Sequence, residues 1–451
     1  MIVMKFGGSS VADADRIRQM GRIVRSQLVR QPIVVVSAIG DTTDRLLEAA
    51  EAALTRGFVS VDAVEEHHYN TITALDSGPA VQNSIKPLFE ELRSLLKGIS
   101  LIRELTGRTR DYLVSFGERL SVRIAAAYLA TFNIEARPLD AWDAGFISDS
   151  NYTAAELAPT CEEGIRRSLK PLLDSGILPV VTGFIARDEG GNITTLGRGG
   201  SDLSASTIGA ACGAEEVQFW KDVDGILTAD PRLVKNARPV DSITYEEAAE
   251  LAYFGAQVLH PRAILPCMKT GIPVLVKNSF NLEAPGTKIV ARLNRKTGPV
   301  QAITSRNNVT LVDIVSSRML GQPGFLERVF SSFAEYGISV DVVATSEVSI
   351  SLTLDAVHDL GALRQSLSRI ASVEIKTDRA IVTIIGDVMR SSEILQRTFG
   401  VCAELKIPVQ MVSQGASKVN ISFIVNDTQA EDAVRGLHAN FFEVPPDPGD
   451  E

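Results

Sequence analysis

The sequence predicts an α/β protein: a three-layer αβα body on a mainly parallel open sheet, followed by two α+β units of ferredoxin-like build. Three observations lead there. Over residues 1–290, short β-branched apolar runs alternate with segments of helical periodicity, as parallel strands covered on both faces do. Behind them a pattern repeats: Phe330 recurs as Phe399 and Ile338 as Ile407, both 69 positions on, and Val348-Ser-Ile-Ser-Leu recurs as Val419-Asn-Ile-Ser-Phe, 71 on. A repeat of that kind decides architecture. The length of 451 residues also exceeds one ordinary domain of about 150 residues.

The elements follow in order. Ile2–Phe6 reads as a strand broken by Gly7-Gly8, and Asp13 caps a helix with Ile17, Met20, Val24 and Leu28 on one face. Ile33–Val36 is the next strand. Ser115-Phe-Gly-Glu-Arg119 reads as a glycine turn ahead of a helix over Leu120–Ala130. Leu178–Ile185, Glu216–Trp220 and Ile272–Val276 are further strands, with a helix from Ser201 through Ala211 between the first two. Thr244 and Glu247 form a capping-box pattern that opens a helix toward His260-Pro261. Ligands of such a sheet bind beyond the carboxyl ends of its strands, so chemistry is sought in the loops there.

Composition shifts across Asn281–Asn308, with Ala284-Pro285-Gly286 and Gly298-Pro299, and the first domain is drawn over residues 1–293. The first repeat, 294–375, has a strand at Val309–Val315, a helix with Leu326, Val329, Phe330 and Phe333 on one face, and strands at Ile338–Val343 and Val348–Leu354. The second, 376–446, has Ala380–Ile385, a helix bearing Leu395, Phe399 and Cys402, and strands at Ile407–Val412 and Val419–Val425. A strand-like piece within 299–306 precedes the first copy and is available to complete the second.

Lys plus Arg is 45 against 55 Asp plus Glu, a net charge of −10, which offers no electrostatic footprint for nucleic acid. The four cysteines form no CxxC pair, so neither a zinc ribbon nor a disulfide framework is expected. The longest apolar runs are strand-sized, short of a membrane span, and the N-terminus shows no signal-peptide core. A cytoplasmic protein is expected. His67-His68 reads as a solvated helix face, and the five histidines make no metal-ligand spacing.

Four segments could carry chemistry. Lys5-Phe6-Gly7-Gly8-Ser9-Ser10 ends the first strand, where glycine amides, a helix N-terminus and a lysine suit a phosphate; an ordinary strand–turn–helix corner would use the same residues. Thr194–Asp202 surrounds Arg198 with Gly197, Gly199 and Gly200, a nest for a carboxylate or phosphate, although Asp202 also fits as a helix cap. Ser37 and Thr43 lie beyond a buried strand, and Glu118 sits beside Gly117. Trp220–Arg232 places Lys221, Asp222, Asp224 and Arg232 around Gly225, for a ribose and phosphates or for a polar turn.

Taken in this order, KFGGSS (5–10), SFGERLS (115–121), TTLGRGGSD (194–202), WKDVDGILTADPR (220–232) and YFGAQVLHPRA (253–263) resemble the aspartokinases of the amino-acid kinase family. The match runs along nearly the whole chain. The tail resembles their paired ACT domains, and SQGASKVNISFIVN (413–426) is similar to monofunctional plant-type and related bacterial forms. The resemblance implies phosphoryl transfer from ATP, with magnesium carried on the nucleotide, to L-aspartate, giving 4-phospho-L-aspartate. It implies Lys5 and Asp202 as catalytic, with Asp202 keeping Lys5 oriented. Arg198 would clamp the α-carboxylate, Glu118 and Asp202 would face the ammonium group, and Ser37, Thr43, Gly199, Gly200 and Ser201 would also contact aspartate. Lys5, Phe6, Gly7, Gly8, Lys221, Asp222, Arg232 and Gln257 would hold ATP, and no protein metal ligand is expected. The chain departs from the lysine-sensitive bacterial pattern at Lys221, where threonine is usual, at Leu227 for tyrosine and at Gln257 for lysine. Phosphate charge is therefore expected from Lys221.

The resemblance further implies a feedback-inhibited homodimer or homotetramer joined through its ACT domains, with lysine as effector and threonine or S-adenosylmethionine as alternatives. Met319, Gly324, Phe325, Asp341, Thr345, Ser346, Glu347 and Val348 match the lysine site. The second copy carries Gln410 and Lys418 where the first has Asp341 and Glu347, so a cationic ligand would choose the first. Two rivals stand beside this reading: a kinase of the same fold for another acid, and a non-catalytic amino-acid sensor.

Overall fold

The β-branched runs of residues 1–290 lie side by side in one eight-stranded sheet. The computed structural model describes residues 1–255, 258–293, 298–319, 322–355, 360–415 and 419–443. They form two units, the first comprising 1–226, 241–245 and 258–293.

In the first unit the strands are β1 (Ile2–Phe6), β2 (Pro32–Val36), β3 (Ala136–Leu139), β4 (Ile147–Ser148), β5 (Leu178–Thr182), β6 (Ile185–Asp188), β7 (Ile193–Thr195), β8 (Glu216–Lys221), β9 (Ser242–Thr244), β10 (Val274–Asn278) and β11 (Thr287–Val290). The main sheet runs β3-β5-β2-β1-β8-β10-β11-β9, and β4, β6 and β7 make a small second sheet. Every pair of the main sheet is parallel except β10 with β11. Its helices are α1 (Ala14–Ser26), α2 (Thr42–Arg56), α3 (Asp62–Leu75), α4 (Pro79–Ile102), α5 (Gly107–Ala130), α6 (Cys161–Asp174), α7 (Gly200–Cys212) and α9 (Pro261–Thr270); α8 (Tyr245–Tyr253) falls almost wholly in the second unit.

Period-two alternation assigns the sheet faces. Ile2, Met4, Phe6, Val34 and Val36 share one core with apolar residues of α1 to α5. On the other face α7 comes so near that a side chain at Gly209 would meet Val217. The chain leaves central β1 toward β2 on one side and returns to β8 on the other, so the sheet reverses its order beside β1. The carboxyl ends of β1, β2, β5 and β8 converge there, where open α/β sheets bind ligands.

Several expected boundaries move. The run 178–185 breaks at Gly183-Phe184, with Phe184 in the left-handed region (φ 70°), so β5 and β6 lie in different sheets. Ser115–Arg119 is not a turn: it lies inside α5, a helix of 24 residues capped by Thr106. His68 is fully buried, contrary to the solvated face expected, because α3 packs it edge-on against Phe89 of α4. Burial pushes its pKa down to about 4, and Nδ1 stays 2.7 Å from the Val64 carbonyl.

The second unit comprises 227–240, 246–257 and the residues from 294 onward. Its strands are β12 (Val300–Val315), β13 (Val343–Thr345), β14 (Ser349–Asp355), β15 (Ser372–Gly386), β16 (Met411–Gln414) and β17 (Asn420–Asn426), with helices α10 (Phe325–Glu335), α11 (Gly361–Leu367), α12 (Ser391–Glu404) and α13 (Asp427–His438). Both repeats share one sheet, β13-β14-β12-β15-β17-β16. The piece near 299–306 and the strand at 309–315 are one 16-residue strand, kinked at Asn308 (φ 58°). Its first part pairs with 381–386 of the second copy, and its later part with both β14 and 372–379. Strands expected at 338–343 and 407–412 begin only at Val343 and Met411. Residues 227–240 join this unit because Ala229 and Val234 enter the core formed by Val300, Ile303, Val382 and Leu437.

Candidate active site

A cavity of about 800 Å³ opens at the carboxyl edge beside β1. Lys5, Ser37, Thr43, Glu118, Arg198, Gly199, Gly200, Ser201 and Asp202 all line it. These are all the catalytic and substrate-contacting residues expected from sequence.

Two of its lining residues, Lys5 and Asp202, form a charge triad with Lys221. Asp202, in the first turn of α7, puts Oδ1 2.7 Å from Lys5 Nζ and accepts a 2.8 Å hydrogen bond on Oδ2 from Lys221 Nζ. Lys5 and Asp202 are buried, at 6% and 4% exposure. Burial alone would raise the Asp202 pKa, but Lys5 and then Lys221 outweigh it and hold the carboxyl well below the usual range. Burial pulls Lys5 down from its ordinary value, Asp202 opposes, and Lys221 adds to the fall. The triad keeps one net positive charge at a buried strand edge, an electrostatic seat for an anion. Both Asp202 oxygens face lysines, and Oδ1 completes no hydrogen bond among the described residues.

Glu118 brings a second buried carboxylate to the cavity. It lies on α5, 3% exposed; Oε1 accepts from the Ala38 amide at 3.1 Å, and Oε2 has no hydrogen-bond partner among the described residues. Burial pushes its pKa up to about 8. A carboxyl so placed is primed to ionise when a cation arrives. Gly117 makes the placement possible, since a Cβ there would stand 2.7 Å from Ala38 Cβ. Opposite stands Arg198, exposed at the mouth in the turn before α7. The turn needs glycine at 199, where φ is 75° and a Cβ would come 2.5 Å from His260 Cβ.

Asp111 was missed by sequence reasoning. It is 1% exposed, lines the same cavity, and accepts from the Thr153 amide (2.8 Å), the Thr195 amide (2.9 Å) and the Thr195 hydroxyl (2.8 Å). It ties α5 to the strand entering the Arg198 turn. One aspartate inside a helical pattern carries no motif, so only the fold reveals it. Phe184, at the break between β5 and β6, also lines the cavity.

The nucleotide-side residues gather less tightly. The Gly7 amide points at the Trp220 carbonyl, 3.4 Å away, and the Phe6 ring is buried in the core against Trp220, at 6.1 Å between ring centroids. Asp222 is exposed, while Asp224 accepts from Asn278 at 2.7 Å and Asn281 at 3.1 Å. Arg232 belongs to the second unit and pairs with Asp230 at 2.6 Å in an exposed turn. Gln257 lies outside the described residues. Among the described residues no group of three His, Cys, Asp or Glu side chains is placed to hold a metal ion.

In the second unit, Met319 is half-buried, Gly324 (φ 81°) starts α10, and Phe325 is buried. Thr345 ends β13, and Ser346, Glu347 and Val348 form the turn to β14, where Ser346 Oγ accepts from the Ser349 amide at 3.1 Å. Asp341 is not an open carboxylate: it pairs with Arg306 and accepts from the Tyr253 hydroxyl at 2.5 Å. At the corresponding place in the second copy, Gln410 accepts from Arg379 Nε at 2.8 Å. Lys418 lies outside the described residues.

Residues 1–278 match the amino acid kinase family, and residues 312–365 and 382–441 match the ACT domain. The chain is 49% identical to aspartokinase 1, chloroplastic, of Arabidopsis thaliana, over 98% of this chain and 80% of that protein. It is 35% identical to lysine-sensitive aspartokinase 3 of Escherichia coli, over 98% and 99% respectively. In structure it is similar to E. coli aspartokinase III in complex with aspartate and ADP, with a TM-score of 0.82 and 33% identity over 98% of this chain and 100% of that one.

Proposed function

The chain belongs to the amino acid kinase family, on the branch of the aspartokinases, and we infer from its cleft that it moves the γ-phosphoryl group of ATP to the β-carboxylate of L-aspartate. It is an ATP-dependent aspartate kinase. The observation that carries the reading is the meeting, in one cavity, of Lys5 and Asp202, to which Lys221 is bonded, with Arg198 and Glu118.

The roles follow from charge. Arg198 offers a planar fork to the α-carboxylate, and Glu118 Oε2 receives the α-ammonium. With both ends held, the β-carboxylate is turned toward Lys5. One of its oxygens forms the new O–P bond as the bond from the γ-phosphorus to the ADP oxygen breaks. The attacking carboxylate is already ionised at neutral pH, so no general base is needed. Lys5 and Lys221 offset the charge that builds on the transferring group; positioning and neutralisation are what such a reaction asks of a protein. Magnesium on the nucleotide would neutralise further phosphate charge.

The ACT repeat supports feedback inhibition by lysine at the first copy, in a homo-oligomer, since Asp341 and Glu347 are lost from the second copy. Lysine must bind the low-activity state more tightly to inhibit. The function is tested by ADP release from the purified chain with L-aspartate, L-glutamate or N-acetylglutamate. Turnover with aspartate alone is expected; preference for another acid, or none at all, would refute it.

A further inference from the structure

Helix α5 walls two cavities, one on each side. Asp111, Val114 and Glu118 face the cleft already described, whereas Arg108, Tyr112 and Arg119 face a second cavity of about 430 Å³. Strand β7 divides them likewise, with Thr195 on the first and Ile193 on the second. That volume lies in the range of small-molecule sites, and the mechanism uses none of its residues.

Its lining is rich in uncompensated cation. Arg108, Arg119 and Arg187 face it against a single carboxylate, Glu91. Glu91 is already engaged, by both terminal nitrogens of Arg119 at 3.4 and 3.1 Å and by the Tyr112 hydroxyl. The neighbouring acids are also occupied: Asp140 pairs with Arg123, and Asp188 accepts from Asn192, Ser150 and Tyr152; Asp143 acts on Arg187 only through its field. Trp142 lines the same cavity, its ring centroid 4.2 Å from the Arg187 guanidinium carbon and 5.9 Å from that of Arg119. Neither Arg187 Nε nor Arg119 Nε has a hydrogen-bond partner among the described residues. Guanidinium groups held against aromatic rings, Arg187 on Trp142 and Arg119 on Phe116 at 4.8 Å, cost little to fix in place, and their forks match carboxylate and phosphate oxygens.

We propose that this second cavity binds a small organic or inorganic oxyanion bearing carboxylate or phosphate groups, held by Arg187, Arg119 and Arg108 beside Trp142. Such a ligand would touch the residue next to Glu118 on the same helix without entering the cleft.

The test is calorimetric titration of the full-length protein, kept saturated with ADP and aspartate so that the cleft is filled. Inorganic phosphate and citrate are the two probes, with sodium chloride at equal ionic strength as control. Saturable binding of at least one probe is expected, and which one binds separates phosphate from carboxylate ligands. Arg187→Ala should weaken it by about tenfold or more, as loss of one charged hydrogen bond does. Arg187→Lys, which keeps the charge and guards against a folding defect, should weaken it too, while Arg167→Ala on the exposed face of α6 should not. No saturable heat with either probe, or equal affinity in wild type and both Arg187 variants, overturns the proposal.

Discussion

Lys221 donates a 2.8 Å hydrogen bond to Oδ2 of Asp202, the oxygen that Lys5 leaves open. One carboxylate thus fixes two ammonium groups that reach it from neighbouring parallel strands, β1 and β8. Lys221→Met should lower kcat/KM for ATP roughly 10- to 100-fold, the scale of one charged hydrogen bond. Thermal unfolding should barely move, because Asp202 keeps Lys5. Steady-state kinetics at varied ATP decide it, and wild-type ATP dependence would remove Lys221 from the phosphate site.

Glu118 ties activity to pH. With its carboxyl held near pKa 8 by burial, the free protein must lose a proton to accept the aspartate ammonium. kcat/KM for aspartate should rise with pH and level off above about 8, and Glu118→Gln should be slow with that rise abolished. Stability should run the other way. The folded pKa stands above the ordinary 4.5, so the stabilisation is complete below about pH 4.5 and disappears as pH climbs through 8. Melting of the ligand-free protein across pH 5–9, with and without Glu118→Gln, checks the sign.

Gly117→Ala sets helix propensity against packing. Alanine in a helix interior is favoured over glycine by about 1 kcal/mol, yet the added methyl would meet Ala38 at 2.7 Å. Overpacking costs about 1–3 kcal/mol, so the variant should melt lower than wild type and show a raised KM for aspartate, as Glu118 is levered off the Ala38 amide. A higher melting temperature with unchanged KM would mean that the contact relaxes freely.

Asp341→Asn should weaken lysine inhibition and leave activity without lysine roughly unchanged. Its carboxylate is shared with Arg306 and Tyr253 in the ligand-free chain, so a lysine side chain must compete for it. Lysine titrations of wild type and variant give the answer: coincident curves would clear Asp341 of the role, and an uninhibited wild type would turn attention to threonine or S-adenosylmethionine.

Much of this was legible before the structure. The strand ends at Lys5 and Val36 and the glycine-rich turn at Arg198 announce themselves through local pattern, which is why the cleft residues were found. Sequence was blind where the reason for a residue lies far along the chain. Gly117 read as a turn because glycine usually breaks helices, and only the approach of Ala38, 79 positions earlier, explains it inside one. No sequence pattern shows that Lys221 joins Lys5 at Asp202, since the three residues lie on separate elements. Asp111 and the buried His68 sit within ordinary helical patterns, and neighbours distant in sequence give them their meaning.

Aspartate kinase activity requires a phosphoryl group to arrive on the aspartate side chain. Hydroxylamine traps an acyl phosphate as its hydroxamate, so the purified chain, incubated with ATP, magnesium, L-aspartate and hydroxylamine, should form aspartate β-hydroxamate in step with ADP. ADP released without hydroxamate, or hydroxamate formed only from another acid, would contradict it.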